Sequence, residues 1–230
     1  MTRSDQYVFE KTPWGRRARH QKIEVFFGGK MASEQLIAEK FPQLTFLKVK
    51  QTHSNICRLA SVEIHEADAH WTADQNKALM ILTADCMPIM IYCLQTQRVA
   101  AVHAGWRGVA NQIIVSTLCQ LIESGSYQKQ FIFWIGPHIS QNSFEVQKDC
   151  LDLLEKAVYE LNDRDYLSVY DNKMYVNLFI IVEAQIKKTI GCQPIIHSVA
   201  EDTFSNSEFF SYRRERQTSG RNLSFIVKHG

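Results

Sequence analysis

The chain is short of the features that assign a protein quickly. No apolar stretch reaches the roughly 18 residues of a membrane-crossing helix, because Asp, Gln or Lys interrupts each one. The opening MTRSDQYVFEKTPWGRR has no apolar central region, so no signal peptide is expected and the chain reads as cytoplasmic. The six cysteines (Cys57, Cys86, Cys93, Cys119, Cys150, Cys192) include no Cys-x-x-Cys pair. A cytosolic chain of this size needs no disulfide framework, and most of them read as small buried hydrophobes. A net charge of +2 is too weak a field to recruit nucleic acid or an anionic membrane. Repeats, low-complexity tracts and long linkers are also missing. What remains is a chain of 230 residues, 45% apolar and 22% charged, able to bury a substantial core as a single domain over 1–230.

Several segments have a clear pattern. VAAV (Val99–Val102) and FIFWI read as buried strands, ALMILTADC and PIMIYCL as two short strands separated by the turn at Asp85 to Pro88, and PIIHSV and LSFIVK as the last strands. LTFLKVKQTHSN is strand-like and ends in polar residues. Apolar residues at 109, 110, 113, 114, 118, 121 and 122 predict a helix from Val109 to Ser124, capped by Gly125. Helices are also expected over 145–161 and 176–190, the second stopped by Gly191. Strands and helices alternate only in part, which predicts an α+β fold, a mixed β-sheet core with flanking helices. The first 44 residues give the weakest pattern, with turns at Pro13-Trp14-Gly15 and Gly28-Gly29.

Three of the strand-like segments end in side chains that carry chemistry: His53, Cys86 and His103. Two imidazoles and a thiolate suit Zn²⁺, and three protein ligands with an open fourth position are the pattern of a catalytic zinc site. Their spacing matches no finger or His-Glu-x-x-His motif, and a histidine at a strand end is commonly only a hydrogen-bonded structural residue. Cys86 is equally a candidate nucleophile, with His103 as base and Asp85 or Asp68 as orienter. Asp85 also suits a simple turn before Pro88. In HAGWRG, Gly105 and Gly108 let the backbone approach a ligand, the following helix offers free N–H groups, and Arg107 can grip a phosphate. Trp106 is either a core residue or a surface on which a base stacks. Arg213, Arg214, Arg216 and Arg221 form a second basic cluster, with Arg216 read as solvated surface.

QTHSN, LTADCMPIMIY, VAAVHAGWRG, IGPHISQNSFEV and FFSYRRERQTSGR, in this order, resemble the motif series of the YfiH family. That family is also labelled laccase-domain or polyphenol oxidase and includes FAMIN-type purine enzymes. The likeness runs over residues 45 to 226. It implies a YfiH-like α+β domain with a zinc site made by His53, Cys86 and His103. It further implies phosphorolysis of purine nucleosides (adenosine, inosine, methylthioadenosine) and adenosine deamination, with purine nucleosides and phosphate as partners. Arg107 and Arg213 become the phosphate candidates, Gly105 and Trp106 shape the substrate floor, and Asp85 and Glu145 are the acids considered for proton donation. The family is linked as well to peptidoglycan editing, for which Cys86 would be a hydrolytic nucleophile. Copper can replace zinc at such donors. A true multicopper oxidase, however, uses His-x-His pairs, and the eight histidines here form none. Two departures stand out: Asp202 precedes Thr203 where the family carries Cys-Thr, and the N-terminal part is reduced to EVFFGGKMAS.

Overall fold

The computed structural model of the protein describes residues 9–125 and 130–230. Three strands come first, β1 (Glu10–Thr12), β2 (Gly15–His20) and β3 (Ile23–Gly28), then helix α1 (Glu34–Lys40). Strands β4 (Thr45–Leu47), β5 (Cys57–Leu59), β6 (Ala69–Thr72), β7 (Lys77–Thr83), β8 (Met87–Cys93) and β9 (Val99–Ala104) follow, then helices α2 (Trp106–Ala110) and α3 (Ile113–Glu123). Next are β10 (Phe131–Ile135), a 3-10 turn at Gln141–Ser143, β11 (Glu145–Val146), α4 (Lys148–Glu155) and α5 (Asp163–Tyr166). The hairpin β12 (Leu167–Tyr170) and β13 (Lys173–Val176) leads into α6 (Leu178–Ile190). The last elements are β14 (Ile195–Ser198), α7 (Tyr212–Glu215), a 3-10 turn at Arg216–Thr218 and β15 (Asn222–Lys228).

The strands make two mixed six-stranded sheets, β1-β2-β3-β15-β7-β4 and β14-β10-β8-β9-β6-β5, and a small sheet β11-β13-β12. Side chains alternate between faces along each strand, and both faces of the central strands are covered. Val25, Phe27, Leu79 and Ile81 of the first sheet meet Met90, Tyr92, Val99 and Ala101 of the second. The other face of the first sheet, with Phe26, Met80 and Phe225, packs on Ile37 of α1. The other face of the second, with Ile89, Ile91, Ala100 and Val102, packs on Leu118 of α3 and Ile181 and Val182 of α6. Burial on both faces explains why these strands read as unbroken apolar runs.

The connection after β7 carries the chain from the first sheet to the second, and it contains Asp85 and Cys86. Met87 opens β8 opposite Ala104, so Cys86 and His103 arrive at the same end of the sheet. His103 continues the face of Val99 and Ala101, at the end of the layer between the sheets.

Several expectations change. The helix over 109–124 is two helices: α2 starts at Trp106, and Gln112 at φ 62 turns a left-handed corner before α3. Gly125, at φ 118, stands one residue beyond the cap Ser124. The helix over 145–161 shortens to α4, because Glu145 and Val146 pair with Tyr175 and Met174 of a hairpin distant in sequence. α6 begins two residues after Val176, at Leu178, where the side chain of the cap Asn177 accepts from the Ile180 N–H, and it ends at Ile190, capped by Gly191 with φ 75. LTFLKVKQTHSN gives only the short strand β4, and the poorly patterned start holds β1–β3.

Candidate active site

Asp68, wholly buried just before β6, organises one end of the site. Its carboxylate accepts the backbone N–H groups of Thr52 (3.1 Å), His53 (3.0 Å) and Ser54 (2.6 Å) and the Ser54 hydroxyl (2.7 Å). His53 therefore lies in a loop, at φ 58, rather than at a strand end. The same carboxylate meets His103 Nδ1 at 2.7 Å, which leaves Nε2 for other partners. Of the two acids considered as orienter of His103, Asp68 makes the bond and Asp85 does not.

The ligand-type atoms of His53, Cys86 and His103 lie within 4.8 Å of one another. Cys86 Sγ is 3.9 Å from His53 Nε2, and the two imidazoles stand edge to face with centroids 4.9 Å apart. Gly105 closes the space beneath: a Cβ there would be 2.9 Å from both Cys86 Sγ and His53 Cδ2. Two nitrogens and a sulfur at this spread suit one zinc ion with bonds of about 2.0–2.3 Å, and the carboxylate behind His103 is the usual support of a metal-binding imidazole.

Charge in the cluster is strongly coupled. Burial opposes ionisation of Cys86, but the charge of His103 and hydrogen bonds from both histidines outweigh it and bring the thiol down to about 6. Burial likewise opposes protonation of His103, yet the Cys86 thiolate and the Asp68 bond raise it to about 9. Asp68 resists desolvation through its bonds to His103 and Ser54 and sits well below the usual carboxylate range. Each charge of the pair favours the other, thiolate beside imidazolium, and a metal, which needs the neutral imidazole, competes with that proton for His103.

These three residues stand at a cleft of about 640 Å³. Its apolar lining includes Trp106, Ile139, Phe144, Leu178 and the ring of Tyr212, and its polar lining includes Gln51, Asp85, Arg107, Arg213, Arg216 and Arg221. Gln51 is fixed by bonds to both the N–H and the carbonyl of Leu82. Asp85, at φ 80, accepts the Thr203 hydroxyl (2.7 Å) on one oxygen and the Arg213 N–H (2.6 Å) on the other. It thereby pins the 203–213 segment over the turn that holds Cys86. Arg107 lies 4.3 Å over the Trp106 ring. A larger groove of about 820 Å³, along Tyr159, Glu183, Lys188 and Cys192, holds none of these groups.

The structure thus gathers His53, Cys86, His103, Asp85, Gly105, Trp106, Arg107 and Arg213 at one place. Arg216 is exposed, as its reading as solvated surface expects, and it also lines the cleft together with Arg221, which is exposed too. Arg214 turns away and donates to the carbonyls of Thr203, Phe204 and Phe209. Glu145 is not part of the lining, and its carboxylate pairs with Lys173 at 3.1 Å. Asp202 accepts the Ser143 hydroxyl at 2.6 Å and ties down the 3-10 turn, while Thr203 keeps its bond to Asp85. Cys57, Cys93 and Cys150 are buried as expected, but Cys119 and Cys192 are exposed. The sequence reading missed Gln51, Phe144, Leu178 and Tyr212 as cleft residues and Thr203 as the partner of Asp85, 118 positions away. No local signal links such distant residues.

The family model described as multi-copper polyphenol oxidoreductase laccase matches residues 31–229. The chain belongs to that family. Among relatives of this laccase-labelled family, a purine nucleoside phosphorylase of Haemophilus influenzae is 33% identical over 201 residues, 83% of this chain and 78% of that protein. An adenosine deaminase, RL5, from an unknown prokaryotic organism is 28% identical over 78% of this chain and 73% of its own. The fold is that of the Bacillus licheniformis hypothetical protein YfiH, with a TM-score of 0.85 at 20% identity over 95% of this chain and 98% of that one. The "multi-copper" label meets one metal-type group among the described residues, the His53–Cys86–His103 cluster. No helix among the described residues is long and apolar enough to cross a membrane.

Proposed function

We propose that the protein is a zinc-dependent purine nucleoside phosphorylase, converting adenosine or inosine and phosphate to the free base and ribose 1-phosphate, or methylthioadenosine and phosphate to adenine and 5-methylthioribose 1-phosphate, with adenosine deaminase activity in addition. The observation that carries this reading is the His53–Cys86–His103 cluster at a cleft with aromatic walls and with arginines that pair with no carboxylate among the described residues. His53, Cys86 and His103 would hold the ion, with Gly105 leaving room for their side chains. Bound there, zinc supplies Lewis acidity, which activates water or polarises a substrate oxygen near neutral pH.

The chain's own residues do the positioning. Asp68 keeps the His103 Nδ1 occupied and directs Nε2 toward the cluster. Trp106 and Phe144 offer faces for the purine. Arg107 and Arg213 hold phosphate for attack on the anomeric carbon, and Asp85 fixes the Arg213 backbone. The apolar walls exclude bulk water, which strengthens these charge contacts.

The test combines two measurements on one preparation purified without added metal. Zinc and copper are quantified per chain, and adenosine is incubated with and without phosphate. About one zinc per chain and phosphate-dependent adenine support the reading, and inosine supports the deaminase activity. Zinc with no purine product would sink it.

A second reading has its own observation. Cys86, His103 and Asp68 stand in the order of nucleophile, base and orienter, as a cysteine-dependent hydrolase acting on cell-wall substrates would need. Cys86→Ser separates the two: zinc retained with hydrolysis lost favours the nucleophile, and loss of zinc together with activity favours the metalloenzyme. Copper can occupy the same donors, and the metal count on the same preparation reports it.

A further inference from the structure

The cleft carries more positive charge than one phosphate ion calls for. Arg107, Arg213, Arg216 and Arg221 all line it. Arg216 and Arg221 are exposed, and among the described residues none of the four pairs with a carboxylate; Arg58, Arg98 and Arg164 also lack one but lie away from the cleft, whereas Arg16, Arg17, Arg19 and Arg214 each pair with a glutamate. The acid in the lining, Asp85, already has its two oxygens engaged by the Thr203 hydroxyl and the Arg213 N–H. Carbonyl oxygens fix two of the guanidinium groups without neutralising them. Arg213 donates to the Glu145 carbonyl at 2.9 Å, and Arg221 donates to the carbonyls of Ser219 and Gly220, also at 2.9 Å. Arg216 stands at φ 56 and ψ −132, a backbone conformation that side-chain-bearing residues rarely adopt. Two residues earlier, Arg214 is locked onto backbone carbonyls, so this corner is held in place. A phosphoryl group carries about 1.5 to 2 negative charges near neutral pH. Arg107 and Arg213 suffice for one, and Arg216 and Arg221 are left without an anion.

Resting on the phosphorylase reading, we propose that Arg216 and Arg221 form a second phosphoryl subsite and that the preferred ligand class is a purine nucleoside bearing a 5′-phosphoryl group. Guanidinium forks match phosphoryl oxygens bidentately, and their charge survives at every relevant pH. The 5′-carbon takes no part in glycosidic cleavage or in loss of the 6-amino group. A phosphoryl there can be gripped at the arginine-bearing wall without obstructing the reacting atoms.

Binding of AMP and of adenosine to the metal-loaded protein, measured by calorimetry, tests this. AMP is expected to bind at least about tenfold more tightly than adenosine. The double variant Arg216→Ala with Arg221→Ala brings the ratio to within about twofold of unity. Should the double variant fold poorly, Arg216→Ala alone reads the same ratio in the same direction. Equal affinities, or a ratio unchanged in the variants, overturns the proposal. Turnover is read separately. An AMP preference without any purine product refutes the phosphorylase reading and leaves the subsite standing, and phosphate-dependent adenine without an AMP preference does the reverse.

Discussion

Two buried imidazoles sit in the same layer between the sheets and have opposite fates. His70 on β6 pairs across the strands with Ala101, two positions before His103 on β9. Neither ring nitrogen of His70 makes a well-formed hydrogen bond, and a loose approach to the Met80 backbone does not offset its desolvation. Burial brings it down to about 4, so it stays neutral. His103 is buried almost as deeply, yet Cys86 and Asp68 raise it to about 9. Depth is shared by the two residues, so depth does not make the site. A carboxylate two residues before His70 and a thiol delivered by the turn after β7 make it.

The most direct way to break the contrast is to remove the partnered imidazole. His103→Ala is expected to abolish stoichiometric zinc and lower kcat/KM for phosphorolysis on the order of a thousandfold or more. Asp68 keeps its backbone donors from Thr52, His53 and Ser54, so the loop should remain folded. Metal content and circular dichroism on the same sample check both halves. Retained zinc at full occupancy would remove His103 from the ligand set.

The unpartnered imidazole gives the next largest effect, and in stability rather than activity. Its folded value lies below its ordinary value of 6.5, so the unfolded chain takes up the proton first as pH falls. The stability associated with neutral His70 is complete above about 6.5 and is lost as pH falls toward 4. A shift of this size corresponds to about 3 kcal/mol. Urea unfolding of the metal-free protein at pH 7 and near pH 4 should show that loss in the wild type. In His70→Leu the wild-type excess should shrink by most of this amount, and identical pH dependence in both proteins would mean that His70 is not neutral in the fold.

The same contrast separates what could be read in the sequence from what could not. The strands around His103 were legible because burial on both faces writes an unbroken apolar run. His53, Cys86 and His103 were legible as candidates from residue type and motif order, although their spacing carried no signal. Asp68 was legible only as one of two acids, because its partners lie 14 to 16 and 35 residues away and meet only through the pairing of β6 with β9. The hairpin β12–β13 had a signal that went unused. Asp171 and Asn172, at φ 47 and 57, are a two-residue turn of the kind that closes antiparallel pairs. The expected long helix failed for a tertiary reason, since the left-handed corner at Gln112 lets α3 lie along the second sheet.

A milder substitution sharpens the role of the partner. Asp68→Asn keeps the shape of the carboxylate and removes its charge. Loss of such a supporting group typically lowers metal affinity about 10- to 100-fold. It should also weaken the His103 imidazolium and so let Cys86 rise from about 6 toward its ordinary 9. Alkylation of Cys86 in the metal-free protein, followed by peptide mass spectrometry, reads this directly. The wild-type midpoint is expected near pH 6 and the variant midpoint at higher pH. Equal midpoints would show that Asp68 only holds the loop and does not set the charge of the pair.

The smallest expected change tests the space between the partners rather than the partners themselves. Gly105 has φ −74, so its backbone conformation is open to any residue, and a methyl group is resisted only by its neighbours. In Gly105→Ala the new Cβ would press on Cys86 Sγ and His53 Cδ2, both at 2.9 Å. His53 stands in a loop and can yield by a few tenths of an ångström, whereas Cys86 is held by the Asp85 anchors and by the start of β8. The relief therefore falls on the His53 side, widening the ligand set without unfolding it. About a tenfold loss of zinc affinity is expected, with unfolding midpoints in urea close to wild type. Chelator competition measures the first and urea titration the second. Unchanged affinity would mean that the cluster has slack and that Gly105 is there for the substrate, and a large loss of stability would mean that the turn cannot yield at all.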